Sequence, residues 1–519
     1  MVALVLYESH RLLVAIAQKS GQILAEPTTT RNSRGRHNLL KGDMNLNSEQ
    51  QTAVNAREGY WQVVAGPGSG KTRCLTERYK ALLDAGEDPA EILSLTFTKN
   101  AAQEMRKRAE KEADGGRHSK ICSDSKGKIS TTGRERPSGF LTFHSLALAF
   151  CQAEREAFGY DLAPFPLLTP GQAAKIIGEA ARPYALDYRA FSNWLHAQKN
   201  AGKTPWQARE DADCPLERSM ASAYEDYEKK CRERGVLDFD SMLTEMVRVL
   251  KASISGTYID LVVLAARWQY KWIQVDESQD ANSIQWELVK CLSSLNHNVF
   301  AVGDGKQAVY EWRGAHPDLF VHFPDLFLGA KTLYLGTNYR STPQIVDFIR
   351  DAAPVRNELL DHFHTDNPAG PEVSIRKFYG NRDEADTIAS ENMKPCTVAM
   401  LQNMAVLART NRILSSFEEA LINAGVKYYL LGKAGFWSQR EVQDVLAFCQ
   451  CAVLPHDGAV TQALRSPFAC TRFIRKTEVL AAAKRPSGQV VVNNPLFKYL
   501  SELPNQAEQG FASTLRSLR

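Results

Sequence analysis

Lys71 and Thr72 close the run Ala65-Gly66-Pro67-Gly68-Ser69-Gly70, and their types and spacing suit one chemistry, the grip on a phosphate chain. Val63 and Val64 lead in as the end of a buried strand, and a helical pattern begins beyond Gly70. A turn of small residues lets backbone N–H groups converge, and the helix N-terminus behind it adds the positive end of a dipole. Lys71 supplies a movable charge for the outer phosphates, and the Thr72 hydroxyl can sit on Mg2+. Ala65 stands where the pattern G-x-x-x-x-G-K-[ST] has its first glycine, and the other small residues still permit the turn.

Two further strand tips carry acid. Trp272-Ile273-Gln274-Val275 reads as a short strand ending in Asp276-Glu277-Ser278-Gln279-Asp280. Adjacent carboxylates at the end of a buried strand repel and lose solvation, a cost that a bound cation removes. Beside a phosphate loop, the economical assignment is Mg2+ on Asp276 and a water polarised by Glu277. Val299 to Asp304 repeats the strand with an acidic end and continues through Gln307 to Tyr310, Trp312 and Arg313. Aromatic faces beside a guanidinium suit stacking on single-strand bases, worth about 1–3 kcal/mol per base.

The elements that must hold these residues alternate. Leu46 to Gln51 opens an amphipathic helix that Asn47 or Ser48 can cap. After the loop come a helix through Tyr79 and Leu83, the strand Ile92–Phe97, and a helix entered at Thr98. Strand alternating with helix predicts a parallel α/β sheet with ligands at the carboxyl ends of its strands. Gly115 to Gly139 is a basic, Ser/Gly-rich run without apolar period, expected to be a mobile loop. From Thr142 to Arg234 the pattern is helical, and the sheet is expected to resume near Leu237-Asp238-Phe239-Asp240. Leu333-Tyr334-Leu335 reads as the opening of a second core domain, with a polar turn at Asn338-Tyr339-Arg340-Ser341-Thr342 and a helix through Ile345 and Ile349. Strands are expected at Ala405–Ala408 and Tyr428–Leu431, and a helix from Arg440 to near Val453.

Composition sets outer bounds. A chain of 519 residues exceeds one core, and its 44% apolar and 24% charged residues are ordinary for a soluble globular protein. A net charge of +4 is too small to argue for a nucleic-acid partner by itself. No apolar run approaches the ~18 residues a membrane span requires, so no membrane partner is expected. The ten cysteines include no C-x-x-C pair, which suits incidental thiols in a reducing, cytoplasmic compartment.

Taken in order, these motifs resemble the UvrD/Rep-type helicases of superfamily 1. Leu46-Asn47 with Gln50 resembles their Q motif, the phosphate loop motif I, and Leu95-Thr96-Phe97-Thr98 with Ala101, Ala102, Glu104 and Met105 motif Ia. Thr142-Phe143-His144-Ser145 is similar to motif Ib, Val275 to Asp280 to motif II, Val302 to Ala315 to motif III, and Asn338 to Thr342 to motif IV. The resemblance implies a P-loop, RecA-like parallel-sheet core with a helical insertion, and part of a second RecA-like domain. It implies an ATP-hydrolysing DNA helicase that moves 3′ to 5′ on single-stranded DNA or a single-strand/double-strand junction, with ATP and Mg2+ as cofactors. Gln50 would read the adenine edge, and the base would lie between Arg73 and Tyr339. Lys71 and Thr72 would hold phosphate and Mg2+ with Asp276, Glu277 would activate water, and Gln307 would sense the γ-phosphate. Arg340 would reach across from the second domain as an arginine finger. Phe97, Tyr310 and Trp312 would form base-stacking pockets, with Thr98, Phe143, His144 and Arg313 along the strand.

The expected organisation is an extension over 1–40 that is disordered, a first core over 41–110 and 235–332, and a helical insertion over 111–234. A partial second core follows over 333–455, and a second insertion begins over 456–519. Lys306 stands where the family commonly has an acidic residue, and no segment matches its motifs V and VI. The expectation is therefore a truncated, split or shortened helicase, with a second chain as a candidate carrier of those motifs. An ATP-gated single-strand-binding unit that does not unwind is the alternative.

Overall fold

The computed structural model describes residues 3–8, 11–16, 46–111, 136–163, 166–255, 259–308, 314–352, 358–393, 395–401, 403–430 and 446. The chain divides into two compact units, Met1–Arg376 and Lys377–Arg519. The basic loop up to residue 135, Tyr310, Trp312, Arg313, almost all of the Arg440–Val453 helix and everything after it lie outside the described residues.

In the first unit, β1 (Ala3–Glu8) and β2 (Arg11–Ile16) pair as an antiparallel ladder, so the stretch expected to be disordered carries a hairpin. Two short apolar runs, taken one at a time, gave no sign that they would pair. The capping box of Asn47 and Gln50 starts α1 (Ser48–Asn55). β3 (Tyr60–Ala65) then delivers the phosphate loop to α2 (Lys71–Asp84). β4 (Ile92–Thr96), α3 (Lys99–Lys111), β5 (Gly139–Thr142) and α4 (Phe143–Ala153) follow.

The insertion contains α5 (Pro170–Ala181), α6 (Tyr188–Asn200), α7 (Pro205–Glu210) and α8 (Pro215–Glu233). Thr169 and Thr204 open two of these with capping boxes and Pro at the first position, where the missing N–H costs nothing. Its core is its own, built on Ile176, Ile177, Phe191, Leu195, Tyr224 and Tyr227. Where the sheet was expected to resume, Asp238 instead caps α9 (Phe239–Ile254), its carboxylate accepting from Ser241 N. A short acid ahead of an apolar helical period favours a cap over a strand.

α10 (Ile259–Arg267) leads to β6 (Trp272–Val275), α11 (Ser283–Leu292), β7 (Val299–Gly303), α12 (Pro317–Val321), α13 (Phe323–Leu326) and β8 (Lys331–Leu335). The six strands form one parallel sheet in the order β5-β4-β6-β7-β3-β8. Alternation along the strands fills both faces: Ile273, Val275, Val299 and Ala301 join Trp268, Trp286 and Phe323 on one side. On the other, Val63, Phe300 and Val302 pack with Leu75, Tyr79 and Met105.

β8 belongs to the first sheet. Leu333, Tyr334 and Leu335 pair with Val63, Val64 and Ala65, so this strand completes the first sheet rather than opening a second one. The turn at Asn338 and α14 (Pro343–Ala352) and α15 (Glu358–His362) stay with the first unit.

In the second unit, α16 (Asn381–Thr387), a π-helical turn at Ile388–Met393, α17 (Val398–Leu401) and α18 (Asn411–Asn423) are helical. Ala405–Ala408 and Tyr428–Leu430 pair with no strand among the described residues, contrary to the strand expectation. An apolar run becomes a strand only where a neighbouring chain accepts its ladder.

Candidate functional site

The site sits at the carboxyl ends of β3, β6 and β7, where a parallel sheet gathers its loops. Gly68 and Gly70 hold φ of 72° and 88°, left-handed values that let the loop fold back on itself. Ser69 N and its hydroxyl both donate to Gly66 O. Gly70 caps α2 without a side-chain hydrogen bond, so no side chain of the cap occupies the first N–H groups of the helix.

Asn338 welds the later turn to this loop. Its Nδ2 donates to Pro67 O at 2.7 Å, and its Oδ1 accepts from Arg340 N and Ser341 N at 2.8 and 2.7 Å. Tyr339 N donates to Gly68 O at 2.9 Å. A Cβ on Gly68 would lie 2.7 Å from the Cβ of Arg340, so Arg340 starts directly above the loop. The arginine expected to arrive from a second domain is thus anchored to the first, because β8 lies beside β3. Gln50 is buried, its Oε1 accepting from Asn47 N and its Nε2 donating to Ser69 O at 2.9 Å. That leaves one amide hydrogen for a base. Arg73 acts electrostatically on the half-exposed Tyr339, whose phenol burial pushes upward.

The acidic strand tips meet Lys71 here. Lys71 Nζ lies 3.3 Å from Glu277 Oε2 and 3.5 Å from Gln307 Oε1. Glu277 adopts φ 46°, ψ 47°, a left-handed backbone uncommon for a side-chain-bearing residue and costing on the order of 1–3 kcal/mol. Asp276 is 4% exposed, and its Oδ1 has no hydrogen-bond partner. Burial and the adjacent Glu277 raise its carboxyl to about 7, against the opposing charge of Lys71. A buried, unpaired carboxylate oxygen next to a phosphate loop fits a hard cation with oxygen ligands. Thr72, in the first turn of α2, fits the same set.

A cleft of about 1140 Å³ opens between the sheet edge and the insertion. Phe97, Thr98, Phe143 and His144 line one wall, and Tyr188, Asn193 and His196 the other. Phe143 is 2% exposed and belongs to the core, so it shapes the floor more than it offers a face. Burial lowers the pKa of His144, while Asp240 opposes that change. Gly314 lines the same cleft, with Asn200 packed where a Cβ would stand. Asn338, Gln279 and Asp304 stand inside the motifs, but the sequence alone assigns none of them a role of its own. The usable signal for Asn338 was its type, since Asn at the head of a turn binds backbone two residues on.

Among the described residues no helix is long and apolar enough to cross a membrane, and no cluster of three or more His, Cys, Asp or Glu could hold a metal.

Residues 46–327 match the family model for the UvrD/REP helicase N-terminal domain, and residues 333–474 that for the UvrD-like helicase C-terminal domain. The ATP-dependent DNA helicase PcrA of Staphylococcus epidermidis is 29% identical over 433 residues, 80% of this chain and 55% of that protein. PcrA of Staphylococcus aureus is 28% identical over 425 residues, with the same coverage. The chain therefore spans about half the length of these curated relatives.

Proposed function

Because the chain belongs to the UvrD/Rep helicase family, we propose that it binds and hydrolyses ATP at the phosphate loop and couples turnover to 3′-to-5′ movement on single-stranded DNA. The carrying observation is the convergence of Lys71, Glu277 and Gln307 beside the open N-terminus of α2. Backbone N–H groups of Gly68, Gly70, Lys71 and Thr72 receive the phosphates, since Pro67 has none and those of Gly66 and Ser69 donate to Leu335 O and Gly66 O, and Lys71 neutralises the outer phosphate. Thr72 and Asp276 would hold Mg2+, which spreads positive charge over the phosphate oxygens. Glu277 orients the attacking water and accepts its proton, and Gln307 senses the γ-phosphate from the turn after β7. Arg340 faces the charge that develops in transfer, worth a large factor when correctly placed. The adenine lies between Arg73 and Tyr339 with its edge on Gln50.

The single strand, or the single-strand side of a junction, occupies the cleft beside Phe97, Thr98 and His144; Tyr310, Trp312 and Arg313, which lie outside the described residues, are the further candidates for contact with it. Rings along a groove bind bases with little sequence preference.

ATPase measured on the purified chain with and without an oligothymidylate tests this. Turnover should rise with DNA and fall by at least about 100-fold in Lys71→Ala and Glu277→Gln. Activity unchanged in both variants refutes the assignment. Nucleotide-dependent DNA affinity without strand displacement would identify an ATP-gated binding unit, with a second chain as the candidate source of the remaining machinery.

A further inference from the structure

Five residues close a ring in which each polar end meets the next. Lys71 Nζ contacts Glu277 Oε2 at 3.3 Å, and Gln279 Nε2 donates to the same oxygen at 2.9 Å. Gln279 Oε1 accepts from Asp304 N at 3.0 Å. Asp304 Oδ2 accepts from Gln307 Nε2 at 2.7 Å, and Gln307 Oε1 returns to Lys71 Nζ at 3.5 Å. Only this orientation of the Gln279 amide works, since a flipped one would set oxygen against carboxylate and nitrogen against N–H.

We propose that Gln279 is the positioning residue that ties the water-orienting Glu277 to the turn after β7, and so couples phosphate occupancy to the strand cleft. The amide is 2% exposed and bridges two strand tips. β7 ends in Gly303 to admit it, for a Cβ there would fall 2.6 Å from Gln279 Oε1.

The ring explains how the bond would act. An arriving phosphate oxygen competes for Lys71 Nζ, which leaves both Glu277 and Gln307. Glu277 then keeps one buried donor, Gln279, and Gln307 keeps its bond to Asp304. The carboxylate and the turn therefore move together, because the Gln279 amide holds both. From that turn, residues 308–313 lead to Gly314 on the cleft wall. Lys71, Glu277 and Gln307 each meet the nucleotide; Gln279 acts only through Glu277 and Asp304.

The inference rests on the ATP-and-strand reading above, and binding measurements on the full chain separate the two. The probes are a Mg2+-loaded β,γ-imido ATP analogue and a fluorescent oligothymidylate. In the parent the analogue should change oligothymidylate affinity at least about fivefold, a typical coupling between sites. Gln279→Glu keeps the acceptor for Asp304 N–H but loses the donor to Glu277, and Gln279→Met loses both. Each should bring the coupling to within about twofold of none, while affinity for either probe alone stays within about threefold of the parent.

Retention of the parent's coupling in both variants overturns the role of Gln279 and leaves the broader reading standing. Loss of folding, or of both affinities together, in both variants assigns Gln279 to packing and also overturns it. A parent that binds both probes without coupling refutes the inference, and one that binds neither refutes the broader reading with it.

Discussion

Asp276→Asn should make the nucleotide-free protein more stable at pH 8 while abolishing the proposed Mg2+-dependent ATPase. Asp276 is almost fully buried and keeps its proton up to about pH 7, whereas an unfolded aspartate releases it near 3.8. Holding the anion in the folded state therefore costs on the order of 4 kcal/mol. The sign follows from linkage. Between about pH 4 and 7 the folded chain binds a proton that the unfolded chain lacks, so stability falls as pH rises through that window. Above it the parent carries the full cost, and below about pH 4 none. Asparagine cannot ionise, so the variant's advantage is largest at pH 8 and fades toward pH 4. Urea unfolding with a chelator present, at pH 8 and pH 5, measures it. The parent should recover much of the deficit when Mg2+ and the imido analogue are added, and the variant should not. A variant no more stable than the parent at pH 8 would refute the reasoning, because the carboxylate would then already be satisfied without a cation.

Lys199→Met should destabilise the first unit by about 3–5 kcal/mol, because Lys199 is fully buried between Asp238 at 2.8 Å and Glu228 at 2.7 Å and its loss removes the cation that both carboxylates share. Urea unfolding reads the change, and a loss below about 1 kcal/mol would show that the cluster is neutralised otherwise. Gly68→Ala should weaken imido-analogue binding at least tenfold, since its φ of 72° costs a side chain roughly 1–2 kcal/mol and the added carbon meets Arg340. Fluorescence titration measures it, and parental affinity would show that the loop relaxes freely.

The strands and phosphate loop were legible because their signals are local. Val63 to Thr72 carries its strand, turn and helix start within ten residues, and Val299 to Asp304 reads as a strand with an acidic end wherever it is placed. What stayed hidden depends on pairing over distance. Leu333–Leu335 has the same apolar texture whether it opens a new sheet or completes an old one, and only its ladder with Val63–Ala65 decides. Leu237 to Asp240 likewise reads as a strand, and only the Ser241 N–H on the Asp238 carboxylate shows it to be a helix start. Gln279 had no visible role because both of its partners, a carboxylate two residues away and the backbone of Asp304, become meaningful only when β6 and β7 lie side by side.

The placement of β8 changes how the site is assembled. An arginine carried by an independent domain would be free to leave the nucleotide whenever that domain swings. Arg340 instead follows a turn whose Asn338 holds Pro67 O and whose Tyr339 N–H holds Gly68 O, so its backbone stays on the loop. Its side chain is exposed, and on the proposed reading it is what phosphate would order. The charge shell is thus incomplete through side-chain freedom at Arg340 and through the mutual occupation of Lys71, Glu277 and Gln307. On the proposed reading, a phosphate that took Lys71 would resolve both at once, drawing the guanidinium in and releasing the turn after β7. Local competition for one ammonium group is then sufficient to begin the change that the strand cleft would feel.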